Sequence, residues 1–195
     1  MQNFRNIKSE IRILAFDDGP FKKDNKSTIL VGAVFRGGHF MDGVLKRDIT
    51  VDGADAEKEI VAVVRQMKFK DVRVIMLDGI TFAGFNSVNI KDIYKETKLP
   101  VIVVLRRKPD FDEFKKAISK LPHAEQRLAC VDAAGEIYWV TVGKSRLAFQ
   151  CAGIKSGDAG KIVAEACTRA AYPEPLRAAH LIAGGIVLGE SSGRA

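Results

Sequence analysis

Apolar residues recur with two different periods along the chain, and the change of period marks out its elements. Ile11 to Phe16 is a short apolar run ending at Asp17, Asp18, Gly19 and Pro20, which reads as a buried strand closed by turn residues. Two further β-rich segments, Ile29 to Phe35 and Met41 to Val51, flank Arg36, Gly37, Gly38 and His39 and predict an antiparallel hairpin. From Ala54 to Met67 the period lengthens: Ala56, Ile60, Val63, Val64 and Met67 fall three and four apart, as on one face of a helix. Val72 to Leu77 predicts a buried strand closed by Asp78 and Gly79. A short helix over Ser87 to Thr97, a strand over Pro100 to Leu105 and a helix over Pro109 to Leu121, capped by Asp110, follow.

Arg127 to Asp132 and Ile137 to Val142 read as strands around Gly135. Asp158 to Ala171 and Glu174 to Leu188 read as helices rich in small and aliphatic residues, and the tail from Gly189 to Ala195 as a frayed end. The order is strand, hairpin, helix, strand, helix, strand, then mostly helix, with no internal repeat or low-complexity linker. It predicts an α/β fold with a mixed sheet, antiparallel hairpin plus parallel strands, flanked by helices, in one domain over residues 1–195.

Composition narrows the class. With 47% apolar and 28% charged residues, the chain has enough apolar material for a packed core. No apolar run reaches the roughly 18 residues of a membrane span, and the N-terminus lacks a signal-like apolar segment, so a cytoplasmic protein is expected. Cys130, Cys151 and Cys167 show no paired metal-ligand spacing and read as buried thiols. A formal charge of +7 suits an anionic partner such as nucleic acid, and equally a plain basic surface.

The candidate chemistry is carboxylate chemistry. Asp17 and Asp78 each follow a strand, and if those strands are parallel neighbours both acids emerge at one sheet edge, where open α/β sheets bind ligands. Two such acids can hold hard divalent cations, Mg²⁺ or Mn²⁺, of the kind used in phosphodiester hydrolysis. As Asp residues close to Gly, both are also ordinary turn formers. Asp52, after the hairpin, and Glu57, on the first turn of the next helix, are further ligands or helix-start acids; Asp158 is either a cap or another acid brought to the same edge. The stretch from Leu77 to Asn89 is either a packed loop or a ligand-contacting one. In the second case Phe82 and Phe85 could stack on a base, with Asn86 beside them. Arg106, Arg107 and Lys108, just after a strand, are phosphate contacts or a solvated run. His180 reads as a core or cap histidine.

At Asp17, at Leu77, Asp78 and Gly79 through Asn86, and at Tyr172, Pro173, Glu174, Pro175 and Arg177 through Ala183, the chain resembles an uncharacterised, mainly archaeal family known only as a domain of unknown function. That family is in turn remotely similar to endonuclease V, a Mg²⁺-dependent nuclease of ribonuclease H-like fold that cuts near deaminated bases such as inosine. The resemblance implies an endonuclease V-like, ribonuclease H-like sheet, with Asp17 and Asp78 as catalytic metal ligands. It places Asp52 or Glu57 at the nuclease's glutamate, Asp52 being preferred, and Asp158 at its late histidine. The nuclease's Pro-Tyr-Ile-Pro wedge has no counterpart here. A metal-dependent endonuclease acting on DNA or RNA is therefore the leading expectation; a catalytically silent nucleic-acid-binding module and a protein-interaction domain are the rivals.

Overall fold

The computed structural model describes residues 7–106 and 110–191. Strand β1 (Arg12–Asp18) pairs antiparallel with β2 (Ser27–Arg36), which pairs antiparallel with β3 (Phe40–Thr50). Gly37 closes this hairpin with a φ of 54°, a left-handed conformation that suits glycine. Helix α1 (Ala56–Gln66) crosses to β4 (Val74–Asp78), which lies parallel to β1. A small ribbon of β5 (Thr81–Phe82) and β6 (Asn86–Ser87) leads into α2 (Ile90–Thr97) and then β7 (Val101–Leu105), parallel to β4. Helices α3 (Phe111–Ile118) and α4 (Ala124–Ala134) precede the antiparallel pair β8 (Tyr138–Val142) and β9 (Ser145–Ala152), and α5 (Ser156–Ala166) and α6 (Glu174–Leu188) end the fold.

The main sheet runs β3-β2-β1-β4-β7-β9-β8, so the expected mixture of antiparallel hairpin and parallel strands is present. Alternation along the central strands feeds two cores. Leu14 and Phe16 of β1 pack with α1, α2 and α4, whereas Ile13 and Ala15 face α5 and the start of α6. Burial on both faces is why β1, β4 and β7 read as unbroken apolar runs. Helix α6 also covers β2, where Ala179 and Ala183 meet Val31 and Ala33; the small residues let helix and sheet approach closely. Among the described residues no helix is long and apolar enough to cross a membrane.

The fold departs from the sequence reading in two places. Arg127 to Asp132, expected as a strand, lies inside α4, where Arg127, Cys130, Val131 and Ala134 are buried. That spacing of three and four is helical, and a short apolar run cannot by itself distinguish buried strand from buried helix. Conversely, Ser145 to Ala152 forms β9, unassigned from the sequence, inserted between β7 and β8. Buried on both faces from Leu147 to Gln150, it lacks the alternation that exposes a strand.

Candidate functional site

The parallel register sets Phe16 beside Leu77 and Asp78 beside Val104. Strands β1, β4 and β7 therefore end together, and Asp17, Asp78 and Arg106 emerge along one sheet edge. With Asp18, Phe21 and His180 they line a cleft of about 560 Å³.

Asp17 is nearly buried, and its Oδ2 lies 2.8 Å from Nδ1 of His180 on α6. Burial raises its pKa above the usual carboxylate value; the His180 hydrogen bond opposes the rise and the Asp78 charge adds to it. The same hydrogen bond raises the His180 pKa against partial burial. Asp78 is paired with Arg106, whose Nη2 donates to Oδ2 over 2.6 Å. Burial, the largest single influence, would lower the Arg106 pKa, but the Asp78 hydrogen bond and the neighbouring Tyr172, Asp78 and Asp17 charges together raise it. The guanidinium lies over the ring of Tyr172, 4.5 Å from its centre, and the Tyr172 hydroxyl is buried with no hydrogen-bond partner among the described residues. Its pKa is raised well above the ordinary value, first by burial and then by Asp78.

Asp18 points to the other face of β1 and accepts the Ala83 N–H at 3.0 Å. Burial, then the neighbouring Asp17 charge, push its pKa to about 7. Two carboxylates, one bonded to an imidazole and the other to a guanidinium, thus share one open cleft with a third acid at their side. Among the described residues no three His, Cys, Asp or Glu side chains form a ready metal cage. The donor set suits a hydrated cation attached through one or two carboxylates, the usual binding mode of Mg²⁺, which keeps waters and completes its shell with substrate phosphate.

The remaining expected site residues lie elsewhere. Asp52, at φ 52°, does not line the cleft; its Oδ1 accepts the Phe85 N–H at 2.9 Å, binding it into the loop structure. Glu57 accepts the Asn89 N–H at 2.8 Å and lines a separate cavity between α1 and α4. Asp158 sits in the first turn of α5. Because β9 runs antiparallel to β7, with Ala152 beside Val101, α5 starts at the edge opposite Asp78. Asp158 is therefore not brought to the acidic cleft.

Of the two readings of the loop from Leu77 to Asn89, the packed one holds. Phe82 and Asn86 are fully buried. Asn86 donates to the Thr50 carbonyl and to Asp55 and accepts the Ala56 N–H, which ties the ribbon to the start of α1. Phe85 is partly buried against Phe114, their ring centres 5.9 Å apart. A stacking role for Phe82 and a base contact for Asn86 are incompatible with this packing. Of the basic run, Arg106 lies in the cleft, while Arg107 and Lys108 lie outside the described residues.

Sequence reasoning missed His180 and Tyr172. A signal existed for the first: His180 follows Leu176 by four residues on the inward stripe of α6, where only a polar partner would favour a histidine. Cys130 is buried, Cys151 and Cys167 are half-buried, and all three are free thiols; burial pushes Cys130 up to about 11 and Cys167 to about 12, so they stay protonated.

A UPF0215 protein of Methanothermobacter thermautotrophicus is 47% identical over 196 residues, covering 99% of this chain and 96% of its own. The crystal structure of a protein of unknown function from Archaeoglobus fulgidus matches with a TM-score of 0.82 at 40% identity, over 90% of this chain and 98% of that one. Endonuclease V of Ciona intestinalis, solved in complex with a 24mer DNA containing an inosine followed by a ribo-adenosine, matches at 14% identity with a TM-score of 0.56, over 86% of this chain and 82% of that one. The last likeness establishes an endonuclease V-like fold. The family model described as Endonuclease dU matches residues 9–187, and the chain belongs to that family.

Proposed function

We propose that the protein is a divalent-metal-dependent endonuclease acting on nucleic acid at the Asp17–Asp78 cleft. The observation that carries this reading is the convergence of Asp17 and Asp78, from parallel neighbouring strands, in one open cleft beside a guanidinium. Membership of the Endonuclease dU family and the DNA bound by the Ciona enzyme support nucleic acid as the substrate class. Asp17 and Asp78 are the residues to hold Mg²⁺ or Mn²⁺, which would supply Lewis-acid stabilisation of the charge that develops on the phosphoryl oxygens. Arg106, released from Asp78, can pair with a phosphate oxygen, and stacking on Tyr172 keeps it at that edge. His180, about half exposed and bonded through Nδ1 to Asp17, presents its other ring nitrogen for proton transfer.

Calorimetric Mn²⁺ titration of the wild type and of Asp17→Asn/Asp78→Asn tests the reading. Binding that the double variant loses, together with metal-dependent cleavage of DNA or RNA that Asp78→Asn abolishes, is the expected result. Absence of metal binding with and without an oligonucleotide would overturn it. A second reading, a catalytically silent nucleic-acid-binding module, is favoured by the ion pair that occupies Asp78. On that reading Asp78→Asn spares or tightens binding and no cleavage is found with any metal.

A further inference from the structure

The β8–β9 hairpin is an unusual surface for its position. Leu105, the last residue of β7, pairs with Ala148, whereas β9 begins at Ser145, paired with Val142 of β8. The hairpin, turning at Gly143 and Lys144, therefore overhangs the sheet edge from which Asp78 and Arg106 emerge. Tyr138, Val140 and Val142 turn inward and pack with the α5 core. Alternation directs Trp139 and Thr141 to the opposite side, where Trp139 is 44% exposed. Ala148 stands directly across from Trp139, so a small side chain leaves the indole uncovered from that strand. The Arg146 guanidinium lies 5.1 Å from the ring centre, a cation–π contact that holds the indole in place.

No acid occurs from Ile137 to Arg146, while Lys144 and Arg146 both do, and among the described residues neither of these two forms an ion pair. An exposed π-surface with a guanidinium over it and a lysine at the turn of the same hairpin is complementary to a base and its phosphates. An acidic peptide would use the cations and leave the ring unused. Resting on the nucleic-acid reading above, we propose that this hairpin is a stacking platform for single-stranded nucleic acid on the sheet face opposite Asp17, Asp78 and Arg106, the strand crossing their shared edge to reach the acidic cleft. Trp139 stacks a base, and Arg146 and Lys144 contact its phosphates.

Trp139 is the chain's only tryptophan, so intrinsic fluorescence reports on this one surface. The experiment titrates the metal-free protein with a thymidine oligonucleotide of about twelve residues. Tryptophan fluorescence is followed together with the anisotropy of a labelled copy of the oligonucleotide. Saturable quenching is expected, with Trp139→Ala binding about ten-fold or more weakly and Trp139→Phe recovering much of the loss. Arg146→Ala should reduce the salt dependence by about one counterion. Unchanged thermal melts of the variants would exclude a folding defect. Binding seen by anisotropy with unaltered tryptophan fluorescence and an unaffected Trp139→Ala would overturn the platform while leaving the nuclease reading standing. Failure of the metal-free wild type to bind the oligonucleotide at all would overturn the platform and leave the nuclease reading to the metal titration. Self-association that depends on Trp139, without quenching by the oligonucleotide, would make the hairpin a contact between copies and overturn the proposal.

Discussion

Asp18 is the residue at which the cost of crowding carboxylates should be measurable. Its folded pKa of about 7 stands well above the ordinary 3.8. Between those values the folded chain keeps a proton that the unfolded chain has lost, so raising the pH favours unfolding. The contribution is most favourable below the ordinary value and is lost as pH rises towards the folded one. Asp18→Asn retains an oxygen to accept the Ala83 N–H and removes the charge. Urea denaturation at about pH 8 should find the variant more stable by roughly 1–3 kcal/mol, and at about pH 4 nearly equal to the wild type. A constant difference across that range would show that Asp18 does not titrate abnormally. His180 illustrates the limit of reading single residues: its partner Asp17 lies 163 positions away, and only the packing of α6 on β1 joins them.

At the scale of elements, the strands that carry Asp17 and Asp78 were legible because burial on both faces leaves unmistakable apolar runs closed by turn residues. Their parallel pairing was a condition in the sequence and became an observation in the fold. The fate of Asp158 was not legible, since it depends on the direction of β9, a strand without alternation. The loop after β4 stayed open between two readings for a related reason: its aromatic and amide residues suit a ligand as well as a core. Asn86 distinguishes the two uses. Asp55 caps α1 without a side-chain hydrogen bond to the helix, and it is Asn86 that accepts the Ala56 N–H while also donating to Thr50. Asn86→Ala would leave the buried Ala56 N–H unmet and take from Thr50 and Asp55 the donor that ties them to the ribbon, and should destabilise the fold by about 2–4 kcal/mol in chemical denaturation. A residue kept for base recognition would instead lose affinity at unchanged stability.

The whole molecule sets two electrostatic scales against each other. A formal charge of +7 draws polyanions to the surface, yet the cleft that would act on them concentrates Asp17, Asp18 and Asp78 around one guanidinium and one imidazole. Over distances beyond about 10 Å in physiological salt, screening leaves the local charges in command. Without metal, the cleft should therefore repel the phosphate that the rest of the surface attracts. It follows that in chelator Asp17→Asn/Asp78→Asn should bind an oligonucleotide more tightly than the wild type, by roughly ten-fold. Adding Mg²⁺ should tighten the wild type and leave the variant unchanged, because only the wild type keeps the carboxylates that convert the cleft from anionic to cationic. Anisotropy titrations at one fixed ionic strength decide the matter. Equal affinities in chelator would mean that the phosphates pass at a distance from Asp17 and Asp78. A tightening by Mg²⁺ that the variant shares would place the cation on the nucleic acid instead.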